Sequence, residues 1–284
     1  MQESADGTRV MPTVESFELV GAGGRPIRGE ACITAGATAS VVLVHGFKGF
    51  LRFGFFPYLT GRLLEQGLNV VSFNFSGSGV GEDLETFTDV SAFEENTFGR
   101  ELYDLVIVNR EAEERGWLGE KHGLLGHSRG GGIAILHASR DDRVNALVTW
   151  SAISTVKRWT EPEMVAWRDR GYSEVTNSRT GQVFRVGTGL LNEVERHADS
   201  RLDIEKAASR VRCPWLLVHG ENDKTIPVRE GERLFEASRE RAEFLRIPNA
   251  SHVFNIAHGM TSPSPELAIA VDRTVAFFAE MLLP

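Results

Sequence analysis

The chain has 284 residues, of which 42% are hydrophobic and 25% charged, an ordinary composition for a globular protein with a sizeable core. Lys plus Arg number 31 against 39 Asp plus Glu, and the net charge of -8 disfavours attraction to nucleic acid or to an anionic membrane surface. No apolar run approaches the roughly 18 residues of a membrane span, and the opening MQESADGTRV lacks the basic and apolar regions of a secretory leader. The expectation is a cytoplasmic protein, a monomer or homodimer, with no nucleic-acid or membrane partner. The two cysteines, Cys32 and Cys213, suggest neither a disulfide nor a metal site, and Cys213 precedes Pro214 and an apolar run, where a buried thiol is expected.

In chain order, TVESFEL (13–19) alternates in polarity, GAGGRP signals a turn, and IRGEACIT (27–34) returns as a partner strand. Short, nearly continuous apolar runs follow: SVVLVHG (40–46), LNVVSFNF (68–75), HGLLGHS (122–128), NALVTWSA (145–152), PWLLVHG (214–220) and AEFLRIP (242–248). Such runs belong to strands covered on both faces, as in a largely parallel sheet. With the hairpin they make eight strands. Helices are expected between them. FPYLTGRLLEQG (56–67) puts Leu59, Leu63 and Leu64 on one face. Residues 96–116 start at the capping candidates Asn96 and Thr97, carry Phe98, Leu102, Leu105 and Val106 on a core stripe, and stop at Gly116. Further helices are expected at 202–211, 228–240 and 265–282.

About 50 residues separate the strand ending near Ala152 from the helix at 202–211, far more than the typical 2 to 6 of such a connection. Residues 153–200 therefore form an insertion with structure of its own, set in a core made of 1–152 and 201–284. Its Trp159, Met164, Trp167, Tyr172 and Phe184 need a core or a ligand to cover them.

GHSRG (126–130) matches G-x-S-x-G, in which a serine occupies a sharp strand-to-helix turn. The motif alone is only suggestive, but HGLLGHS supplies the strand and RGGGIAILHAS the helix that the motif requires. A serine hydroxyl needs a base within hydrogen-bond reach and a third group that fixes the base's tautomer. In this arrangement they follow in the order serine, acid, histidine. Asp223, in VHGENDKTIPV (218–228), and His252, in NASHVF (249–254), each lie just past a strand, at the edge where open α/β sheets place their ligands. His258 is the rival base and Glu221 the rival acid. His127 adjoins the nucleophile but is expected to point away from it, and His122, His137 and His219 read as structural. Backbone donors for an oxyanion are expected from Arg129 and from Phe47 in VHGFKGF (44–50).

Together HGFKG, FNFSGSG (73–79), GHSRGG, HGENDKTIP and NASHVF resemble the α/β-hydrolase superfamily, especially its bacterial carboxylesterases and the relatives of cinnamoyl and feruloyl esterases. The resemblance spans nearly the whole chain. It implies an eight-stranded, mostly parallel sheet with helices on both faces and a small cap inserted after the sixth strand. Arg129 departs from the Met or Gln that many relatives carry beside the nucleophile. FSGSGVG lacks the spacing of a nucleotide-binding glycine motif and is expected as a strand-end loop near the site.

The expected activity is hydrolysis of carboxylic esters of small to medium acyl or aromatic acids through an acyl-enzyme, with no cofactor and no metal. Trp159, Met164, Trp167 and Tyr172 are the candidate substrate-binding residues. A small-peptide peptidase or amidase and an acyltransferase are the alternatives on the same triad. A non-catalytic ligand-binding protein on a hydrolase fold is the alternative of another class.

Overall fold

The computed structural model describes residues 11–238 and 241–284. The opening ten residues and the last two of the helix expected at 228–240 lie outside the described residues. The elements run β1 (Thr13–Val20), β2 (Pro26–Ile33), β3 (Ala39–Val44), α1 (Phe56–Glu65), β4 (Asn69–Asn74), α2 (Val90–Glu94), α3 (Phe98–Glu114), β5 (Lys121–His127), α4 (Arg129–Ala138) and β6 (Val144–Trp150). There follow α5 (Glu161–Arg170), β7 (Tyr172–Thr176), β8 (Val183–Gly187), α6 (Thr188–His197), α7 (Ile204–Ala208), β9 (Trp215–Gly220), α8 (Val228–Ser238), β10 (Ala242–Ile247) and α9 (Pro265–Leu282).

Eight strands form one sheet in the order β1-β2-β4-β3-β5-β6-β9-β10. β1 and β2 pair as the antiparallel hairpin, β2 joins β4 antiparallel, and every pairing from β4 to β10 is parallel. The parallel strands β3, β4 and β9 are buried at every residue because helices cover both faces. α1 packs with α9 against one face, while α3, α4, α7 and α8 form the group on the other. The order reverses at β3, whose neighbours are β4 and β5, so the loops after β3 and β5 open at the carboxyl edge of the sheet, the usual ligand crevice.

Two expectations about helices change: the one placed at 202–211 is the five-residue α7, Ile204–Ala208, and the core stripe of α3 is not the expected one. On α3, Val106 is exposed, and the buried stripe is Phe98, Glu101, Asp104, Leu105, Val108 and Ala112. Acidic side chains occupy a core face there because each has partners. Asp104 accepts the Ala22 and Ser76 N–H groups and the Ser76 hydroxyl at 2.7–2.8 Å, and Glu101 pairs with Arg129. The short helix α2 also escapes the periodicity, since five residues make too few turns to show a stripe.

The long stretch after β6 contains α5, the antiparallel β7–β8 hairpin and α6. α5 begins where Glu163 accepts the Thr160 N–H at 2.7 Å in a reciprocal cap. Phe184 of β8 is buried against Phe93 and Phe87, at ring distances of 4.5 and 5.3 Å, and fastens the hairpin to the core. Among the described residues, no helix is long and apolar enough to cross a membrane.

Candidate active site

Ser128 sits between β5 and α4 with φ 57° and ψ -121°, a conformation that strains a side-chain-bearing residue by about 1–3 kcal/mol. The surroundings hold it there. Its N–H donates to the Trp150 carbonyl at 2.8 Å, and its carbonyl accepts from Gly131 at 3.0 Å and Ile153 at 3.2 Å. The turn is so close to the β3 loop that a Cβ on Gly130 would stand 2.3 Å from the His45 carbonyl oxygen, so position 130 admits only glycine. Strand and helix thus meet at an angle that presents Oγ at the carboxyl edge.

His252, in the loop after β10, lies with Nε2 3.0 Å from Ser128 Oγ and Nδ1 2.8 Å from Asp223 Oδ2. Asp223, in the loop after β9, has a fully buried side chain whose other oxygen accepts the Thr225 and Ile226 N–H groups, both at 2.8 Å. Burial works to raise its pKa and is the largest single effect. The His252 hydrogen bond and charge, the Ile226 amide and His219 together outweigh it and hold the carboxyl below its ordinary range. The rivals are occupied elsewhere: Glu221 pairs with Arg246 at 3.0 Å, and His258 accepts from the Gly54 N–H at 3.3 Å while stacking on Phe53.

The loop after β3 passes directly over the nucleophile. A Cβ on Gly46 would come within 3.0 Å of Ser128 Cβ, tight enough to displace one or the other. His45 fixes this loop, donating from Nδ1 to the Gly46 carbonyl at 2.8 Å and accepting the Phe75 N–H on Nε2 at 3.3 Å. Burial first, then the Arg129 charge, hold its pKa down to about 4 against the pull of the Gly46 carbonyl, so the ring is neutral. Phe47 and Arg129 both line the cavity with Ser128, and among the described residues neither N–H has a partner. Two unpaired amides beside a nucleophile can receive an oxyanion.

The Arg129 side chain turns inward. Its Nε donates to Glu101 Oε2 at 2.7 Å in a buried ion pair, and the guanidinium lies 4.0 Å from the Phe98 ring centre and 5.4 Å from that of Phe47. Burial pushes Glu101 upward, while Arg129 and Asn96 work against that push.

Ser128 and His252 open into a cavity of about 590 Å³ whose walls include Phe53, Phe98, Ile153, Trp159, Trp167, Val186 and Ile256. Of the four substrate-binding candidates, Trp159 and Trp167 line it, their rings edge to face at 5.0 Å. Met164 and Tyr172 do not line it, and their expected role is corrected. Met164 packs partly buried against the core, and Tyr172 is held between Arg170 and Arg185, the latter 4.2 Å from its ring centre. Helical and strand alternation separates residues that a bare list of cap aromatics lumps together. None of residues 73–79 lines the cavity: Ser76 is bound to Asp104, and this strand-end loop touches the site's surroundings through the Phe75 N–H, which donates to His45 of the loop over the nucleophile.

Sequence reasoning missed His45 as the support of the oxyanion loop and Glu101 as the partner of Arg129. Glu101 had a legible signal: it lies on the same helical stripe as Phe98 and Leu105, where a carboxylate requires a buried partner. Among the described residues, no group of three or more His, Cys, Asp or Glu could hold a metal ion.

Residues 41–266 match the model of the alpha/beta hydrolase family, and the chain belongs to that family. Its sequence is similar to 2,6-dihydropseudooxynicotine hydrolase of Paenarthrobacter nicotinovorans, 23% identical over 189 residues, 66% of this chain and 45% of that relative's length. Among solved structures, it is similar to Est1E from Butyrivibrio proteoclasticus with ferulic acid bound, with TM-score 0.73 and 16% identity, covering 94% of this chain and 100% of that one. It is also similar to a puromycin-hydrolyzing peptidase of Mycobacterium tuberculosis, with TM-score 0.66 and 19% identity, covering 98% of this chain and 41% of that one. At these identities the structural likeness establishes the fold.

Proposed function

We propose that this chain is a serine carboxylesterase acting through an acyl-enzyme on esters of small to medium acyl or aromatic acids. The observation that carries the reading is the unbroken relay from Ser128 Oγ through His252 to Asp223 Oδ2, with contacts of 3.0 and 2.8 Å, opening into an apolar cavity. With its hydrogen on Nδ1 bonded to Asp223, His252 offers a bare Nε2 to the serine proton. As Oγ attacks the ester carbonyl, that proton passes to Nε2, and the Phe47 and Arg129 amides receive the negative oxygen. The imidazolium then protonates the leaving alcohol and leaves an acyl-serine. Water enters, its oxygen attacks the acyl carbon as it gives a proton to the same nitrogen, and the imidazolium returns that proton to Ser128 Oγ as the acid is released.

The test is turnover of a panel of esters, amides and thioesters, with a fluorophosphonate probe as control. Ser128→Ala and His252→Ala should abolish ester hydrolysis by about 10⁴-fold or more while the fold persists. Asp223→Asn should lose slightly less. Its carbonyl satisfies the Thr225 and Ile226 amides, so its NH2 group faces Nδ1 and favours the wrong tautomer. Faster cleavage of an anilide than of every ester would make the chain an amidase, and an active Ser128→Ala protein would end the mechanism.

A further inference from the structure

The cavity is lined by four cationic side chains, Lys48, Arg129, Arg158 and Arg179, and by no Asp or Glu among the described residues. Two of the four are neutralised. Arg129 pairs with Glu101 at 2.7 Å and Arg158 with Glu230 at 2.6 Å. Lys48 and Arg179 have no carboxylate partner among the described residues. Lys48 Nζ donates to the Thr176 carbonyl at 2.8 Å, and Arg179 Nη2 donates to the Lys48 carbonyl at 2.8 Å. The Arg179 guanidinium lies over Phe53, 4.8 Å from the ring centre. Main-chain oxygens and an aromatic face thus hold two like charges together where the oxyanion loop meets the cap hairpin.

This juxtaposition is electrostatically unfavourable as it stands. Burial, and then the charge of Arg179, depress the pKa of Lys48. An anion between the two would relieve the repulsion and accept charge-assisted hydrogen bonds from both. The apolar wall beside them suits the body of a ligand whose charged end reaches the pair.

We propose that Lys48 and Arg179 form an anion-binding pair that selects esters bearing a free carboxylate away from the scissile bond. The inference rests on the esterase reading of the same cavity. The chemistry of the reaction is unchanged: water cleaves the ester to an acid and an alcohol, and the distal carboxylate only positions the substrate.

Two matched series test it. One compares 4-nitrophenyl hemiesters of succinic, glutaric and adipic acids with their methyl-capped diesters. The other compares 4-(butyryloxy)benzoate with its methyl ester, which places the charge on the alcohol side. The readout is the ratio of kcat/KM for the anionic member to that for the neutral one within each protein, so any general loss of activity cancels. In the natural sequence the ratio should reach about tenfold or more in at least one series. It should fall toward one in Lys48→Met and in Arg179→Gln, furthest in the double variant, and shrink in high salt. A ratio near one in the natural sequence, or one that survives the double substitution, overturns the proposal.

Failure of the esterase reading is read separately. If no ester is cleaved, a Ser128→Ala protein is titrated with 4-phenylbutyrate, a non-hydrolysable aromatic carboxylate, and followed by tryptophan fluorescence. Binding that weakens about tenfold when Lys48 and Arg179 are replaced keeps the anion site without the esterase. Equal binding, or none, overturns it.

Discussion

His127 donates its Nε2–H to the main-chain carbonyl of His252 at 3.0 Å, so the residue before the nucleophile anchors the backbone that carries the base. The two imidazoles lie 4.7 Å apart, and the edge of His127 meets the Phe55 ring at 5.0 Å. Burial first, then the His252 charge, hold the His127 pKa down to about 3, against the His252 carbonyl and Asp223. The ring is therefore neutral, and the proton it uses to hold His252 stays on Nε2. His127→Ala should lower kcat by about 10- to 100-fold through a displaced base, with a smaller change in KM. His127→Gln, which keeps a donor of similar reach, should recover part of the loss. Steady-state kinetics with fluorophosphonate labelling rates would check both, and an unchanged kcat in His127→Ala would refute the positioning role.

The eight strands and the order Ser128, Asp223, His252 were legible because buried parallel strands write continuous apolar runs and the residues that meet at the carboxyl edge directly follow them. Turn geometry predicts that His127 points away from Ser128, and its ring reaches the loop after β10, three strands along the sheet. That contact joins residues 125 positions apart, and no local pattern encodes it. The cap was legible as a length anomaly but not as a helix–hairpin–helix. Tyr172–Thr176 and Val183–Gly187 are five-residue strands, and although exposure alternates along the second, its outward Val183 is as apolar as its inward Phe184 and Val186, so the sequence does not show the alternation. Met164 and Tyr172 were drawn in with the tryptophans for the same reason, since aromatic content does not say which face of α5 or β7 a residue occupies.

Acidification should destabilise the fold through its buried neutral histidines. Burial lowers His45 and His122 to about 4 and His127 to about 3, against about 6.5 when unfolded. Below pH 6.5 the unfolded chain takes up protons that the folded one refuses. The stability these groups contribute is complete above pH 6.5 and is lost as pH falls through 4, at about 1.4 kcal/mol per pH unit for each group. Glu101 and Asp104, pushed up mainly by burial, act in the opposite sense, because their folded forms bind protons first and temper the slope at the acid end. Urea midpoints should change little from pH 7.5 to 6.5 and fall between pH 6.5 and 5.5. A midpoint that holds level or rises over that range would contradict neutral burial.

The Arg129–Glu101 pair is predicted to matter more for what its rupture leaves behind than for its own strength. Both side chains are over nine-tenths buried, and Asn96 donates to the second Glu101 oxygen at 2.7 Å. Glu101→Gln strands a guanidinium between Phe98 and Phe47 and should cost about 3–5 kcal/mol in unfolding free energy. Glu101→Leu combined with Arg129→Met removes both charges and should recover much of that loss. Chemical denaturation of the three proteins decides the matter, and a Glu101→Gln protein as stable as its parent would show that the charge is not confined.

On the esterase reading, the cap is expected to set an upper limit on acyl length, with Trp159 as the residue that sets it. On the cap side the cavity of about 590 Å³ is lined by Val175, Val186 and Leu190 together with Trp159 and Trp167, whose rings meet edge to face. They differ in what holds them: Trp167 is 2% exposed and belongs to the cap's own packing, whereas Trp159 is only partly buried. Short and medium acyl chains gain from apolar burial in a site of this size, while a chain longer than the cavity must leave part of itself in water or displace the cap. Across p-nitrophenyl esters from acetate to palmitate, with methyl ferulate alongside, kcat/KM should peak at short or medium chains and fall by about tenfold or more at palmitate. Trp159→Ala should move the peak to longer chains with little change in stability, because it opens the partly exposed wall. Trp167→Ala should instead cost about 3–5 kcal/mol by leaving a core void. A peak at palmitate in the natural sequence, or a peak that stays put in Trp159→Ala, would show that the cap does not bound the acyl site.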